Sequence, residues 1–594
     1  MGNGRPGEMP MPPTVFTTII AIVAAGLAMA GPVGAAAPPP AADAAPMSAM
    51  PGMSMPVTSA APMAGPPATV ADWAKGAQRF QGLGRTHRAI TTASPEAQAY
   101  FDQGLSLMWG FNHDEATRSF AKAAELDPHC AACFWGVSLT VGPNYNLPFL
   151  TAERARVAYE ALQKAKAVAS KGSEVEQALI VALDKRYPNS AALDPSTALP
   201  VLTAYAGAMQ EVARRFPEDL DVQTLYAESL MNLHAWKLWS PDGTPAPGTP
   251  EIVDTLKAVM ARDPDHLGAN HYYVHAMEAS PHPEYALTSA ARLHDAAPAE
   301  GHILHMPAHI LQRVGRYEDA AEANRRGADA DLAYAKMATA PDYYGMYTGH
   351  NYQFLAFSAA MEGRRAETLD AVDRSRAVMP DAMLATMPGA DWYVAESYAA
   401  PVRFGLWDKL LAMPAPDPKI PGLMGGYLYG RGVAQAATGR VAEAKATLAG
   451  LTAFAAGLPA DAGAGQNLLK DVLAVAIPTV AGRIARAEGK QADELARLRE
   501  AVAAEDRLAY DEPWNWFVPT RQVLGEALLR AGDAKGAEAA YREDLIRNPG
   551  NGWALKGLSA ALAAEGKTSE AAKAAAEFRK AWTKADMTPE ASAF

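Results

Sequence analysis

From about residue 95 the chain reads as one helix after another, with Ala recurring at fixed places and Pro punctuating the run at intervals. Two segments ahead of this body have other patterns. Residues 15–30, VFTTIIAIVAAGLAMA, form an uncharged, largely apolar run of 16 behind a leader that carries Arg5. Residues 31–70 are rich in Ala, Pro and Met and have no hydrophobic period, the mark of a flexible tether.

The apolar run is shorter than the ~20 residues a spanning helix needs. It is followed by small residues, Ala28-Met29-Ala30 and then Ala35 to Ala37, that suit a signal peptidase. These features predict a signal peptide over 1–30 and a periplasmic or secreted mature protein. An anchor left uncleaved is the other reading, and the only one that would give a membrane contact. Four thioethers, Met47, Met50, Met53 and Met55, lie close together in the tether. Soft ligands of this kind suit Cu(I), although drift in a low-complexity linker gives the same composition.

Within the body the clearest unit is Ala97 to Cys130, with Gly104, Ala116, Phe120, Ala123 and Pro128 in place. Small residues at those points let two antiparallel helices approach, and the Pro ends the pair. The spacing returns with Ala286 and Pro298, at Gly315 to Ala320, at Gly363-Arg364 and at Gly439-Arg440 with Ala444. It returns again at Gly532-Asp533 with Ala537, Tyr541 and Pro549, and at Gly566 with Ala571. These copies resemble the tetratricopeptide (TPR) repeat over most of residues 95–585. The stretches FNHDEATRSFAKAAELDP, HYYVHAMEASPHP, GHILHMPAHI and DEPWNWFVPTR are similar to an exported bacterial TPR family. That resemblance implies an all-α, curved helix-turn-helix solenoid and fixes no activity. It divides the chain into a signal peptide (1–30), a tether (31–94), an N-terminal array (95–362), a C-terminal array (363–585) and a tail (586–594). Linkers at 141–148 (VGPNYNLP) and 240–250 (SPDGTPAPGTP) interrupt the repeats, and such insertions often lie at a binding face.

The 13 His are ordinary as a count, but eight of them fall between residues 266 and 309 and a ninth is His350. Spacing places His271, His275 and Glu278 on one helical stripe, and His302, His305 and His309 on another. In the 34-residue frame His271 matches His305, His275 matches His309, and Glu228 falls at the place of His275 one repeat earlier. His350 opens the next first helix. In TPR proteins these places lie on the first helix of each pair and face the concave groove, and such helices pack about 8–10 Å apart. The stripes therefore converge on a patch whose candidate ligands are His271, His275, His305 and His309, with Glu228, Glu278, His302 and His350 behind them. Imidazoles with a carboxylate suit a transition metal, copper or zinc, and the Met-rich tether leans toward copper. The zincin arrangement His-Glu-x-x-His is absent.

Two alternatives stand beside metal binding: a metal-independent scaffold whose groove takes a protein or peptide, and a metalloenzyme with an open coordination position. The sequence leaves open whether Pro307 starts a helix or kinks one. Cys130 and Cys133 predict a local disulfide, with a thiolate site beside His129 as the alternative; Phe134 after Cys133 excludes c-type haem attachment. Tyr510 to Trp516 reads as a capped helix start with packed aromatics, or as a source of one more carboxylate ligand. Tyr343, Tyr344 and Tyr347 would line the groove or fill between helices. Composition changes one point: Asp plus Glu outnumber Lys plus Arg by 65 to 53, which argues against nucleic acid as a partner.

Overall fold

The computed structural model describes residues 66–594, except Asp194 and residues 339–343. The signal peptide, Met47 to Met55 and Tyr343 therefore lie outside the described residues. Helix makes up 69% of the described residues. The only strands among the described residues are the two-residue pair Gly463–Ala464 and Asn467–Leu468, so the fold is an all-α TPR-type solenoid.

The repeat pattern has a visible steric cause. Phe120, on the helix His113–Leu126, is wholly buried between Gly104 of the preceding helix and Gly136 of the following one. A Cβ added at Gly104 would stand 2.8 Å from the Phe120 ring, and one at Gly136 would stand 2.5 Å from it. The same wedge recurs near the C-terminus, where Tyr541 sits between Gly525 and Gly557 at 2.5 and 2.2 Å from the added Cβ. At these two places one aromatic ring keys three successive helices together, and its neighbours must be Gly because any side chain would occupy the ring's volume.

The solenoid brings together repeats that are far apart in the chain. Its turns wind tightly enough for distant repeats to bond. Tyr334 donates its hydroxyl to Glu115 at 3.1 Å, Trp553 donates its indole N–H to the Ala360 carbonyl at 2.7 Å, and Trp392 donates to the Asn515 carbonyl at 2.9 Å. Buried apolar residues gather in one cluster from Val70 to Ile310 and another from Tyr317 to Ala593, with a small third between them.

Residues 66–94 run along the body although their composition places them in the tether. Val70, Trp73 and Ala74 are buried in the core, and polar contacts hold the rest: the Arg88 guanidinium clasps Asp219 at 2.8 Å and Asp221 at 2.9 Å, and Gln103 binds both the Phe80 amide and the Gln78 carbonyl. The tail packs too. Asp586 accepts from the amides of Arg365 and Ala366 at a helix start, and Ser592 bonds the Tyr541 hydroxyl at 2.6 Å. No helix of the described residues is long and apolar enough to cross a membrane.

Candidate metal centre

The two histidine stripes meet inside the N-terminal half. His271, His275 and Glu278 come from the helix Leu267–Glu278, every residue of which is buried. A helix covered on all sides has no solvent face for polar residues, so its histidines must find partners in the interior. His302 and His305 come from the helix Gly301–His305, and His309 from the helix Pro307–Arg313. Met306 between them keeps helical angles (φ −50°, ψ −36°). Pro307 therefore begins a new segment without turning the chain aside, and the three side chains stay on one wall. His350 comes from the helix Tyr344–Met361.

Ligand atoms from His271, His275 and His302 lie within 4.8 Å of one another. The same holds for His305, His309 and His350, and for Glu278, His309 and Glu512. Tetrahedral donors at about 2.1 Å from an ion stand roughly 3.4 Å apart, so small side-chain shifts complete either imidazole set. Glu228 lies elsewhere: it accepts from Asn232 at 2.6 Å and faces the buried Arg186, and no described group of candidate ligands includes it.

The outer nitrogens are organised. Nδ1 of His271 meets the Trp109 carbonyl, and Nδ1 of His275 meets Oε1 of Glu278 at 3.0 Å. Nδ1 of His305 meets Oδ1 of Asn324 at 2.6 Å, while the Asn324 amide N–H donates to the Ala320 carbonyl, which fixes the oxygen as the acceptor. Nδ1 of His350 faces Oε1 of Gln353 at 3.4 Å. Nδ1 of His309 faces Oε2 of Glu278 at 3.1 Å and also the Glu512 carboxylate. Four of the six imidazoles, His271, His275, His305 and His350, therefore bond Nδ1 to an acceptor, the outer-shell arrangement that orients metal-binding histidines, while His309 sets Nδ1 beside two carboxyl groups without a hydrogen bond. The inward nitrogens crowd: His305 Nε2 and His309 Nε2 are 2.6 Å apart, and His271 Nε2 and His302 Nε2 are 3.1 Å apart. His275 Nε2 is buried with no hydrogen-bond partner.

Burial, reinforced by the neighbouring imidazoles, holds His271, His275, His302 and His305 well below the usual histidine range and takes His350 to about 3. These rings are neutral, the form that binds metals. Burial also pushes Glu512 up to about 8, and burial with the adjacent Glu512 pushes Glu278 well up.

Aromatic rings seal the site. Phe111, in the turn after the helix Pro95–Trp109, lies 4.6 Å from the His271 ring, 5.6 Å from His275 and 5.7 Å from His302. Tyr145 stacks on Trp236 at 5.4 Å, and both reach the His275 ring. Phe111 (φ 57°) and Trp236 (φ 61°) are the only non-glycine residues with positive φ among the described ones, and both deliver rings to this cluster. Tyr347 packs on His302 at 5.2 Å, and Tyr344 binds Asp331 at 3.0 Å. Tyr145 belongs to the 141–148 insertion, so that linker does lie at the site, although it closes the site where an open groove was expected.

Glu512 is the carboxylate that spacing alone ranked low. Tyr510 to Trp516 caps no helix, since the next one begins at Thr520. Instead Arg313 holds the segment through the faces of Tyr510 (5.2 Å) and Trp514 (5.6 Å), and Tyr510 donates its hydroxyl to Glu512. Phe111, Asn324 and Trp236 carried no periodic signal. Cys130 and Cys133 are joined in a disulfide at the start of the helix Ala131–Thr140, which leaves no thiolates for a site with His129.

No protein-family model matches the chain, and no curated protein matches it. Among solved structures it is similar to the human IFIT1 dimer with m7Gppp-AAAA (11% identity, 76% of this chain, 90% of that one, TM-score 0.32). It is also similar to the APC/C hetero-tetramer Cut9-Hcn1 (12%, 84% and 79%, 0.29) and to yeast Tom70 (12%, 80% and 90%, 0.30). The helical repeat of this chain is read from its own helices.

Proposed function

We propose that this is an exported TPR-type protein whose buried histidine centre binds a transition metal, copper or zinc. One observation carries the reading. His305 and His309 are buried with their Nε2 atoms 2.6 Å apart, His305 Nδ1 is bonded to Asn324, and His309 Nδ1 lies beside the Glu278 and Glu512 carboxyl groups. Such a pair requires a cation or a proton between its members. The other four imidazoles, three buried and His350 half-buried, extend the same donor chemistry. Peptide binding in a His-lined groove fits less well, because Phe111, Tyr145 and Trp236 occupy the space a peptide would need.

Metal analysis of protein purified without a His tag tests the proposal. Copper or zinc should be retained through dialysis and lost in the variant carrying both His275→Ala and His309→Ala. Wild-type protein that holds no metal after loading would overturn the reading and leave a shared proton as the cause of the short contact.

A further inference from the structure

Six imidazoles are more than one copper or zinc ion uses, and they do not form one shell. Within the first set the ring centroids are 4.9 Å (His271–His275), 4.9 Å (His271–His302) and 5.7 Å (His275–His302) apart. Within the second they are 4.5 Å (His305–His309), 4.9 Å (His305–His350) and 6.0 Å (His309–His350) apart. The sets touch along one edge, His275 to His309 at 5.7 Å and His302 to His305 at 5.9 Å, and share no member. Each set has its own inward Nε2 pair, at 3.1 Å and 2.6 Å.

Glu278 joins the two sets. One of its oxygens meets His275 of the first set and the other meets His309 of the second, where Glu512 adds a second carboxylate. Charge then sets a limit, because unbalanced ions are costly in an interior where His271 and His305 are 0% exposed. Two divalent ions would leave two excess positive charges over these two carboxylates. Two univalent ions are balanced by them once each carboxyl, protonated in the empty site, has released its proton. Copper is the late first-row metal that is both univalent and matched to imidazole.

We infer that the centre holds two adjacent Cu(I) ions, one on His271, His275 and His302 and one on His305, His309 and His350, with Glu278 and Glu512 as counter-charges. The inference rests on the metal-binding reading above and adds number and valence to it.

The test is the metal content of the untagged full chain after anaerobic loading with excess Cu(I) and, separately, Zn(II), followed by removal of unbound ion. The expected result is two copper ions per chain, with about one left in the variant H271Q/H302Q and about one in H305Q/H350Q. A single copper ion in the wild type overturns the pair while the metal-binding reading survives. Retention of zinc but not copper overturns the univalent assignment. No ion of either kind overturns both readings. The wild-type stoichiometry decides the matter even where a variant does not fold.

Discussion

Phe111→Ala should be among the most damaging substitutions in the N-terminal core, although position 111 lies in a turn. The ring is 1% exposed and packs on His271, His275 and His302 and, at 5.4 Å, on Tyr272. Removing a buried Phe side chain costs about 3–5 kcal/mol, and more where the walls cannot collapse. These walls are rings, and His271 and His275 are pinned by hydrogen bonds to Trp109 and Glu278, so the upper half of that range is expected. For a cooperative unit of this size roughly 4 kcal/mol lowers Tm by about 8–16 °C. A second variant separates packing from backbone strain. Phe111→Gly removes the same ring but suits the positive φ of 57°, so it should be more stable than Phe111→Ala by about 1 kcal/mol. Calorimetry of metal-free protein in chelator provides the readout. The reasoning fails if Phe111→Ala melts within about 3 °C of wild type, or if the Gly variant melts below the Ala variant.

Two further outcomes are expected. Asn324→Leu removes the acceptor that fixes the His305 tautomer and should weaken copper binding about 10- to 100-fold in a chelator competition, and unchanged affinity would rule out the outer-shell role. Asp331 is buried and its carboxyl is raised from 3.8 to about 7, chiefly by burial. A carboxyl raised on folding holds more protons in the folded state, so its penalty is absent below pH 4, grows as pH rises and is complete above pH 7. Asp331→Asn should therefore stabilise the protein by several kcal/mol at pH 9 and by little at pH 4, and an equal change at both pH values in melting experiments would contradict the burial argument.

Much of the site was legible in sequence because it obeys the repeat. Side chains 34 residues apart recur at the same place on successive first helices, so spacing alone could bring His275 beside His309, 5.7 Å away, although His271 and His305 fall in separate sets. Pro307 could not be settled that way, since starting and kinking a helix use the same residue; the helical angles of Met306 decide it. Glu228 kept the register of His275, but Arg186 and Asn232 hold it apart from the histidines.

The sequence by itself determined the all-α repeat, the packing unit and the two histidine stripes, because each depends on local periodicity and on contacts between neighbouring repeats. Tertiary structure alone decided that the centre is sealed. Phe111, Tyr145, Trp236 and Glu512 reach it from turns and linkers up to about 400 residues apart, through the winding of the solenoid upon itself. That winding sums small rotations between repeats and leaves no periodic trace in the chain. It converts a row of polar side chains, expected along an open groove, into a largely buried set of imidazoles with two carboxyl groups beside them.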